Sequence, residues 1–349
     1  MALLTTTIGS YPKPDYVPVP DWFKEESTVA KNPTEEYEAY LRTHHNKVEE
    51  LLDRATREVV EEQIRVGIDI PTDGEVRREN YIHYHCRHLE GIDFSQLTRK
   101  TMRAGSWVGK VPTIVAPIRP RDIFLPKDWR TAQAVSNRPV KMTLPGPMTI
   151  VDSLADGFYD DDKILGQALA AALNKEILAL VEAGCIWIQV DEPLMAREPE
   201  KAVAYGIENL ERCFSGVPEE VTRATHMCCG YPDKVDNEDY PKASPDAYFK
   251  LAAPLDGAEV DAVSIEDAHR PNDLSLLDRF KNTKVILGVI AIARSRVETV
   301  EELTARFRKA LGHIDNSRLL VAPDCGLGML ERDTVVQKLK NMVQAAKSV

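Results

Sequence analysis

Short apolar runs rich in β-branched residues recur along the chain, and each is followed by a stretch with the three-and-four spacing of an amphipathic helix. The runs fall at Thr5–Ser10, Ile68–Thr72, Val140–Leu144, Ile186–Val190, Val221–His226, Ala262–Ile265, Lys284–Val289 and Leu319–Ala322. Helical patterns lie at Glu35–Val66, Asp161–Ala183, Lys201–Phe214, Pro245–Ala253, Val300–Leu311 and Asp333–Ala346. Alternating strands and helices build a parallel sheet, and eight such runs predict a TIM (β/α)8 barrel, an α/β fold. The alternative, a doubly wound open sheet, has no glycine-rich dinucleotide fingerprint behind any of its strands. The alternation breaks once, between strands two and three, where residues 81–137 carry their own turn signals and a β-like run at Val111–Ile118. That segment is expected to be an insertion packed on the barrel. Pro12–Pro20 holds four prolines in nine residues and is expected to leave the first strand as an extended loop. One barrel over residues 1–349 is the expected domain organisation.

Composition narrows the partners. With 44 Lys+Arg against 55 Asp+Glu the net charge is −11, and no block of basic residues offers a surface to nucleic acid or anionic lipid. No apolar run is expected to cross a bilayer, and Met1–Thr5 lacks a secretory signal pattern, so a cytoplasmic enzyme acting on small molecules is the expectation. In a reducing compartment, the six irregularly spaced cysteines are read as metal or catalytic candidates before disulfides.

Chemistry in a barrel gathers where strands end and βα loops begin. Seven of those points read Gly9-Ser10, Asp73-Gly74-Glu75, Pro145-Gly146-Pro147, Asp191-Glu192-Pro193, His226-Met227-Cys228-Cys229-Gly230, Glu266-Asp267 and Asp324-Cys325-Gly326. Residues two apart on a strand share a face, so His226 and Cys228 can address one ion, with Cys325 and Glu266 arriving from other strands. Imidazole, two thiols and a carboxylate suit tetrahedral zinc. The competing reading makes Cys228 or Cys229 a small buried hydrophobe. The acids at 73, 75, 191, 192, 266 and 267 either sit at helix N-termini, favoured by the macrodipole, or converge on the barrel axis to hold a substrate ammonium. His83, His85, Cys86 and His88 suggest a second metal site within the insertion, against which stands ordinary packing. Tyr231 and Trp187 read as packing residues.

Taken together, the motifs resemble the catalytic barrel of cobalamin-independent methionine synthase. The matching stretches are Thr7-Ile8-Gly9-Ser10-Tyr11-Pro12, Asp73-Gly74-Glu75, Gly146-Pro147-Met148-Thr149-Ile150, Ile188-Gln189-Val190-Asp191-Glu192-Pro193, Thr225-His226-Met227-Cys228, Ser264-Ile265-Glu266 and Pro323-Asp324-Cys325-Gly326-Leu327. The resemblance implies zinc held by His226, Cys228, Glu266 and Cys325. It also implies a homocysteine amino acid moiety gripped near Ser10 and by Glu75 and Asp191, and methyl transfer to the homocysteine thiolate.

Departures from the family pattern bear on the methyl donor. Asp152-Ser153 stand where the family has an Asn-Trp-Ser stretch, and Ala291-Ile292-Ala293-Arg294-Ser295-Arg296 replace Asp-Ile-His-Ser-Pro-Arg, whose histidine is implied to protonate the folate leaving group. The length is that expected of a core-only version without the family's second barrel-like domain. Methyltetrahydrofolate and methylcobalamin are therefore both carried as donors. Two other readings remain. One is a zinc-dependent epoxyalkane:coenzyme M transferase, in which Arg77, Arg78, Arg294 or Arg296 would meet a sulfonate; the other is a non-catalytic metal-binding barrel.

Overall fold

The computed structural model describes residues 2–17, 19, 33–102, 105, 107–230, 232, 234–237 and 239–349. Seven strands form one parallel sheet in the order Leu4–Thr5, Leu319–Pro323, Lys284–Ile290, Ala262–Glu266, Thr222–Met227, Trp187–Asp191 and Met142–Pro145. The two ends of this sheet meet through residues 70–72, which bridge Thr6 to Ile70 on one side and Thr72 to Lys141 on the other. Eight parallel segments thus close the expected TIM barrel. The second segment makes only these isolated bridges, and the side chain of Gln63, buried on the long helix Pro33–Val66, supplies what the ladder lacks. Gln63 Nε2 donates to Thr72 O at 2.9 Å, while Gln63 Oε1 accepts from Thr72 N at 3.1 Å and from Thr7 Oγ1 at 2.6 Å.

One interior layer of the barrel is filled by Ile8, Ile70, Trp187, Ala224, Ala262, Ile286, Leu320 and Ala322. The alanines leave room for the indole, so Trp187 packs as expected. Tyr231 lies outside the described residues, as do Pro18 and Pro20 of the proline-rich stretch.

The helix Asp162–Ala183 shows how local signals fix the outer ring. Asp161 caps its first turn by accepting from Lys163 N and Ile164 N, and Gly184 ends it at φ 105. Its length and composition would let it cross a bilayer, which corrects the expectation that no apolar run approaches a span. Half of that window is buried, though, with Leu165, Leu169, Leu173, Ile177 and Leu180 forming one inward stripe.

The helix expected at Lys201–Phe214 runs instead as Pro199–Lys201, a π-helical Ala202–Gly206 and Ile207–Cys213. Gly206 lets the Met148 side chain pack close against that turn; a Cβ there would stand 2.9 Å from Met148 Sδ, which would have to shift.

The insertion carries more structure than its sequence announces. It comprises a helix Tyr81–Cys86, a long antiparallel hairpin Leu89–Met102 and Trp107–Pro120, and a helix Leu125–Gln133. The expected run at Val111–Ile118 is only the middle of one strand, because exposed Thr, Lys and Arg on a two-sided hairpin blur the alternation. Among the contacts that tie the insertion to the barrel are two side-chain anchors. Glu176 Oε1 accepts from Phe124 N and Leu125 N, and Lys100 Nζ donates to Val151 O at 2.7 Å and Leu154 O at 2.5 Å.

Candidate metal and substrate site

At the C-terminal mouth, His226, Cys228 and Cys325 bring one nitrogen and two sulfurs within 4.8 Å of one another. His226 belongs to the Thr222–Met227 strand, Cys228 follows it directly, and Cys325 follows Leu319–Pro323. His226 Nδ1 lies 2.9 Å from Ser264 Oγ, its partner across the strand register. With Nδ1 donating to that hydroxyl, the tautomer leaves a lone pair on Nε2, which is buried and makes no hydrogen bond. A hydrogen bond from Cys325, with further help from His226, holds the Cys228 thiol well below its ordinary range despite burial, and the same bond pushes Cys325 up.

Glu266 ends the neighbouring strand, fully buried, and its Oε2 has no hydrogen-bond partner. Burial raises its carboxyl well above the usual range, and repulsion from Cys228 and Asp324 adds to this. It does not join the other three at the 4.8 Å spacing. Buried acceptors are normally satisfied, so an orphan imidazole nitrogen, an orphan carboxylate oxygen and two adjacent thiols make a donor set short of a cation. Its nitrogen, sulfur and oxygen donors fit a borderline-soft metal.

Beside this group stand the acids expected to hold substrate. Glu75 adopts φ 54, a conformation unusual outside glycine, and its Oε1 accepts from Arg78 at 3.0 Å and Thr143 Oγ1 at 2.8 Å. That carboxylate occupies the space over Gly9, where a Cβ would lie 2.4 Å from Oε1. Burial raises the Glu75 carboxyl to about 7, Asp191 and Asp73 adding repulsion against the pull of Arg78. Asp191 accepts from Tyr81 Oη at 2.6 Å and from Gln189 Nε2 at 2.7 Å, and burial raises its carboxyl too. Gln189 is held from below by the fully buried Lys141, whose Nζ donates to Gln189 Oε1 at 2.5 Å. Ser10 reaches the mouth from the first strand, next to the segment that carries Glu75; its Oγ accepts from Gly328 N at 3.4 Å and fills the space a Cβ at Gly326 would need.

The other strand-end acids serve the scaffold. Glu192 caps the helix Pro147–Ser153, accepting from Met148 N and Thr149 N at 2.9 Å each and from Thr149 Oγ1 at 2.7 Å. Asp324 accepts from the backbone of Asp267, Ala268 and His269, and Asp267 pairs with Arg306. The helix-terminus reading thus holds for Glu192 and fails for Asp191.

The insertion's histidines form no metal group among the described residues. His83 packs edge-on to Phe94, His85 lies against Tyr84 and Phe124, and His88 stacks on Phe124 with ring centroids 3.7 Å apart. Burial drives His83 down to about 3, so it packs as a neutral ring.

Sequence reading assigned no role to Ser264, Gln189, Lys141, Tyr81 or Tyr248. Ser264 and Gln189 carried a legible signal, each being an inward polar residue two positions before a site acid on a buried strand. Tyr81 and Tyr248 come from helices whose docking no local pattern fixes.

A closed parallel barrel with a buried thiol, imidazole and carboxylate cluster at its C-terminal mouth is the architecture of a barrel enzyme. The chain belongs to the cobalamin-independent synthase family, whose catalytic-domain model matches residues 3–348. It is 30% identical to a methionine synthase of Saccharolobus solfataricus over 350 residues, covering 99% of this chain and 95% of that one. A methionine synthase of Thermococcus kodakarensis is 30% identical over 349 residues, covering 99% and 93%. Among solved structures, a B12-independent methionine synthase from Shewanella sp. W3-18-1 in complex with selenomethionine superposes with a TM-score of 0.86 at 28% identity, covering 100% of this chain and 98% of that chain. The chain is thus an enzyme, a methyltransferase of the methionine synthase family.

Proposed function

We propose that the enzyme forms methionine by transferring a methyl group to the thiolate of homocysteine. On this reading zinc is held by His226, Cys228, Glu266 and Cys325, and the amino acid moiety is gripped by Ser10, Glu75 and Asp191. The observation that carries it is the buried His226 Nε2 without a hydrogen-bond partner, on a ring that brings a nitrogen within 4.8 Å of two thiols, beside Glu75 and Asp191. When bound there, zinc lowers the pKa of a thiol so that the sulfur is a nucleophile near neutral pH.

The protein's own groups do the rest. Ser264 holds the His226 ring through Nδ1, and Tyr81 and Gln189 aim Asp191. Glu75 and Asp191 accept the substrate ammonium, which replaces the mutual repulsion of two buried carboxylates with attraction. Burial of the mouth excludes water that would solvate the thiolate, and the fixed grip brings sulfur and methyl carbon into line.

The donor is methyltetrahydrofolate or methylcobalamin, and one barrel working in the cytoplasm suffices for the transfer. The coenzyme M alternative loses ground because its candidate cations are engaged. Arg78 holds Glu75, Arg77 holds Glu49 and Asp53, Arg296 holds Glu302, and Arg294 donates to Ala268 O.

The test is an assay of zinc-loaded protein with homocysteine and each donor, which should yield methionine from at least one. Cys325→Ser should lose both zinc and activity. Methionine from none of the donors, or full activity without zinc in the variant, would sink the reading.

A further inference from the structure

Tyr248 stands in the first turn of the helix Ala247–Asp256 with its side chain fully buried. Its hydroxyl donates to Met227 O at 2.9 Å and accepts from Glu266 N at 3.2 Å and from Cys229 Sγ at 3.2 Å. A phenol has one proton to give and two lone pairs, so all its bonding capacity is spent here. Burial pushes the phenol well above its ordinary range, and nearby Cys229 and Glu266 add to the shift, so the group stays protonated.

The position is the notable part. The ladder between the strands Thr222–Met227 and Ala262–Glu266 runs up to the pair Met227 and Ile265 and stops there. The next residue on each strand is a candidate metal ligand, Cys228 on one and Glu266 on the other. Where the ladder ends, Glu266 N–H bonds to the Tyr248 oxygen and the Tyr248 O–H bonds to Met227 O, so the phenol is inserted between the strands as a spacer. The Cys229 thiol, on the far side of Cys228, is tied to the same oxygen.

We infer that Tyr248 is a positioning residue for the metal site, holding the backbones of Cys228 and Glu266 at the separation at which their side chains accept zinc. This rests on the ligand set proposed above. Without the hydroxyl, Glu266 N and Met227 O must either close on each other, drawing Glu266 towards the neighbouring strand, or stay buried and unpaired. In both cases the ligands pay reorganisation on binding, and loss of a group that orients metal ligands typically costs about 10- to 100-fold in affinity.

The experiment measures zinc affinity of the full chain by competition with a chromophoric chelator, and the cobalt(II) absorption spectrum of the same site. Tyr248→Phe should bind zinc at least tenfold more weakly and give an altered cobalt spectrum. 4-Aminophenylalanine at position 248, which keeps a para donor and acceptor, should return the affinity to near that of the parent. A purely structural role would lower the melting temperature and leave both readouts unmoved. Affinity within twofold of the parent and an unchanged spectrum in Tyr248→Phe overturn the inference. If Tyr248→Phe does not fold, an aminophenylalanine protein that folds but binds zinc at least tenfold more weakly than the parent overturns it as well. Cys325→Ser separates the two levels: retained zinc in that variant, or none in the parent, overturns the ligand set itself.

Discussion

At the scale of single residues, the site is defined by side chains whose ordinary partners are missing or strained. His226 Nε2 and Glu266 Oε2 are buried without hydrogen bonds, and Glu75 sits at φ 54 under the repulsion of two other acids. The last of these makes a measurable prediction. Free Glu75, with its carboxyl raised to about 7, is part protonated near neutral pH, and an arriving ammonium favours the ionised form. Binding of methionine, which has no thiol proton to lose, should therefore release on the order of half a proton at pH 7. Calorimetry in buffers of different ionisation enthalpy reads this directly, and Glu75→Gln should abolish it. An uptake of protons, or a release that persists in the variant, would contradict the assignment. Much of this residue set was legible beforehand, because strand-end placement alone picks out His226, Cys228, Glu266 and Cys325. What placement cannot show is which acids are spent elsewhere. Asp191 and Glu192 are adjacent and chemically alike, yet one lines the mouth and the other caps a helix over forty residues away in sequence, a difference set by tertiary docking alone.

At the scale of elements, the strands and long helices were readable because each buries a periodic face. The insertion was not, since its hairpin is polar on much of both surfaces and its helices Tyr81–Cys86 and Leu125–Gln133 are too short for a period to emerge. Those elements nonetheless serve the site: Tyr81 reaches Asp191 from the first of them. The hairpin is held by a short parallel pairing of Thr113 and Ile114 with Ala155 and Asp156, by the bond from Ile118 N to Tyr159 Oη, and by Lys100. Lys100 satisfies two carbonyls, at Val151 within the helix Pro147–Ser153 and at Leu154 just beyond it, so it closes the open end of that helix while tethering the strand. Lys100→Met keeps the aliphatic stem and removes the tether. It should speed limited proteolysis within the hairpin severalfold and leave zinc content unchanged; cleavage at the parental rate would show that the tether contributes nothing. The π turn at Ala202–Gly206 is invisible to pattern reading for a different reason, because one extra residue in a turn leaves the surrounding helical spacing intact.

At the scale of the whole molecule, the barrel is a seven-stranded sheet closed by a segment that barely belongs to it. Residues 70–72 make one bridge on each side, and Gln63 replaces the missing ladder with its own amide. Gln63→Leu preserves bulk but strands Thr72 O in the interior and leaves Thr72 N only its 3.2 Å bond to Thr7 Oγ1, which should cost about 1–3 kcal/mol, the usual loss for one buried group left unpaired. Chemical denaturation of the variant measures this, and a loss under about 1 kcal/mol would show that the seam is held by something else. An ordinary strand is indifferent to which residues compose it, since every backbone offers the same bonds. Here the fastening is written in side chains, so closure of the barrel depends on the identity of Gln63, Thr7 and Thr72 as surely as chemistry depends on His226. A spelling error in that short seam would open the ring at the very segment that delivers Asp73, Gly74 and Glu75 to the mouth.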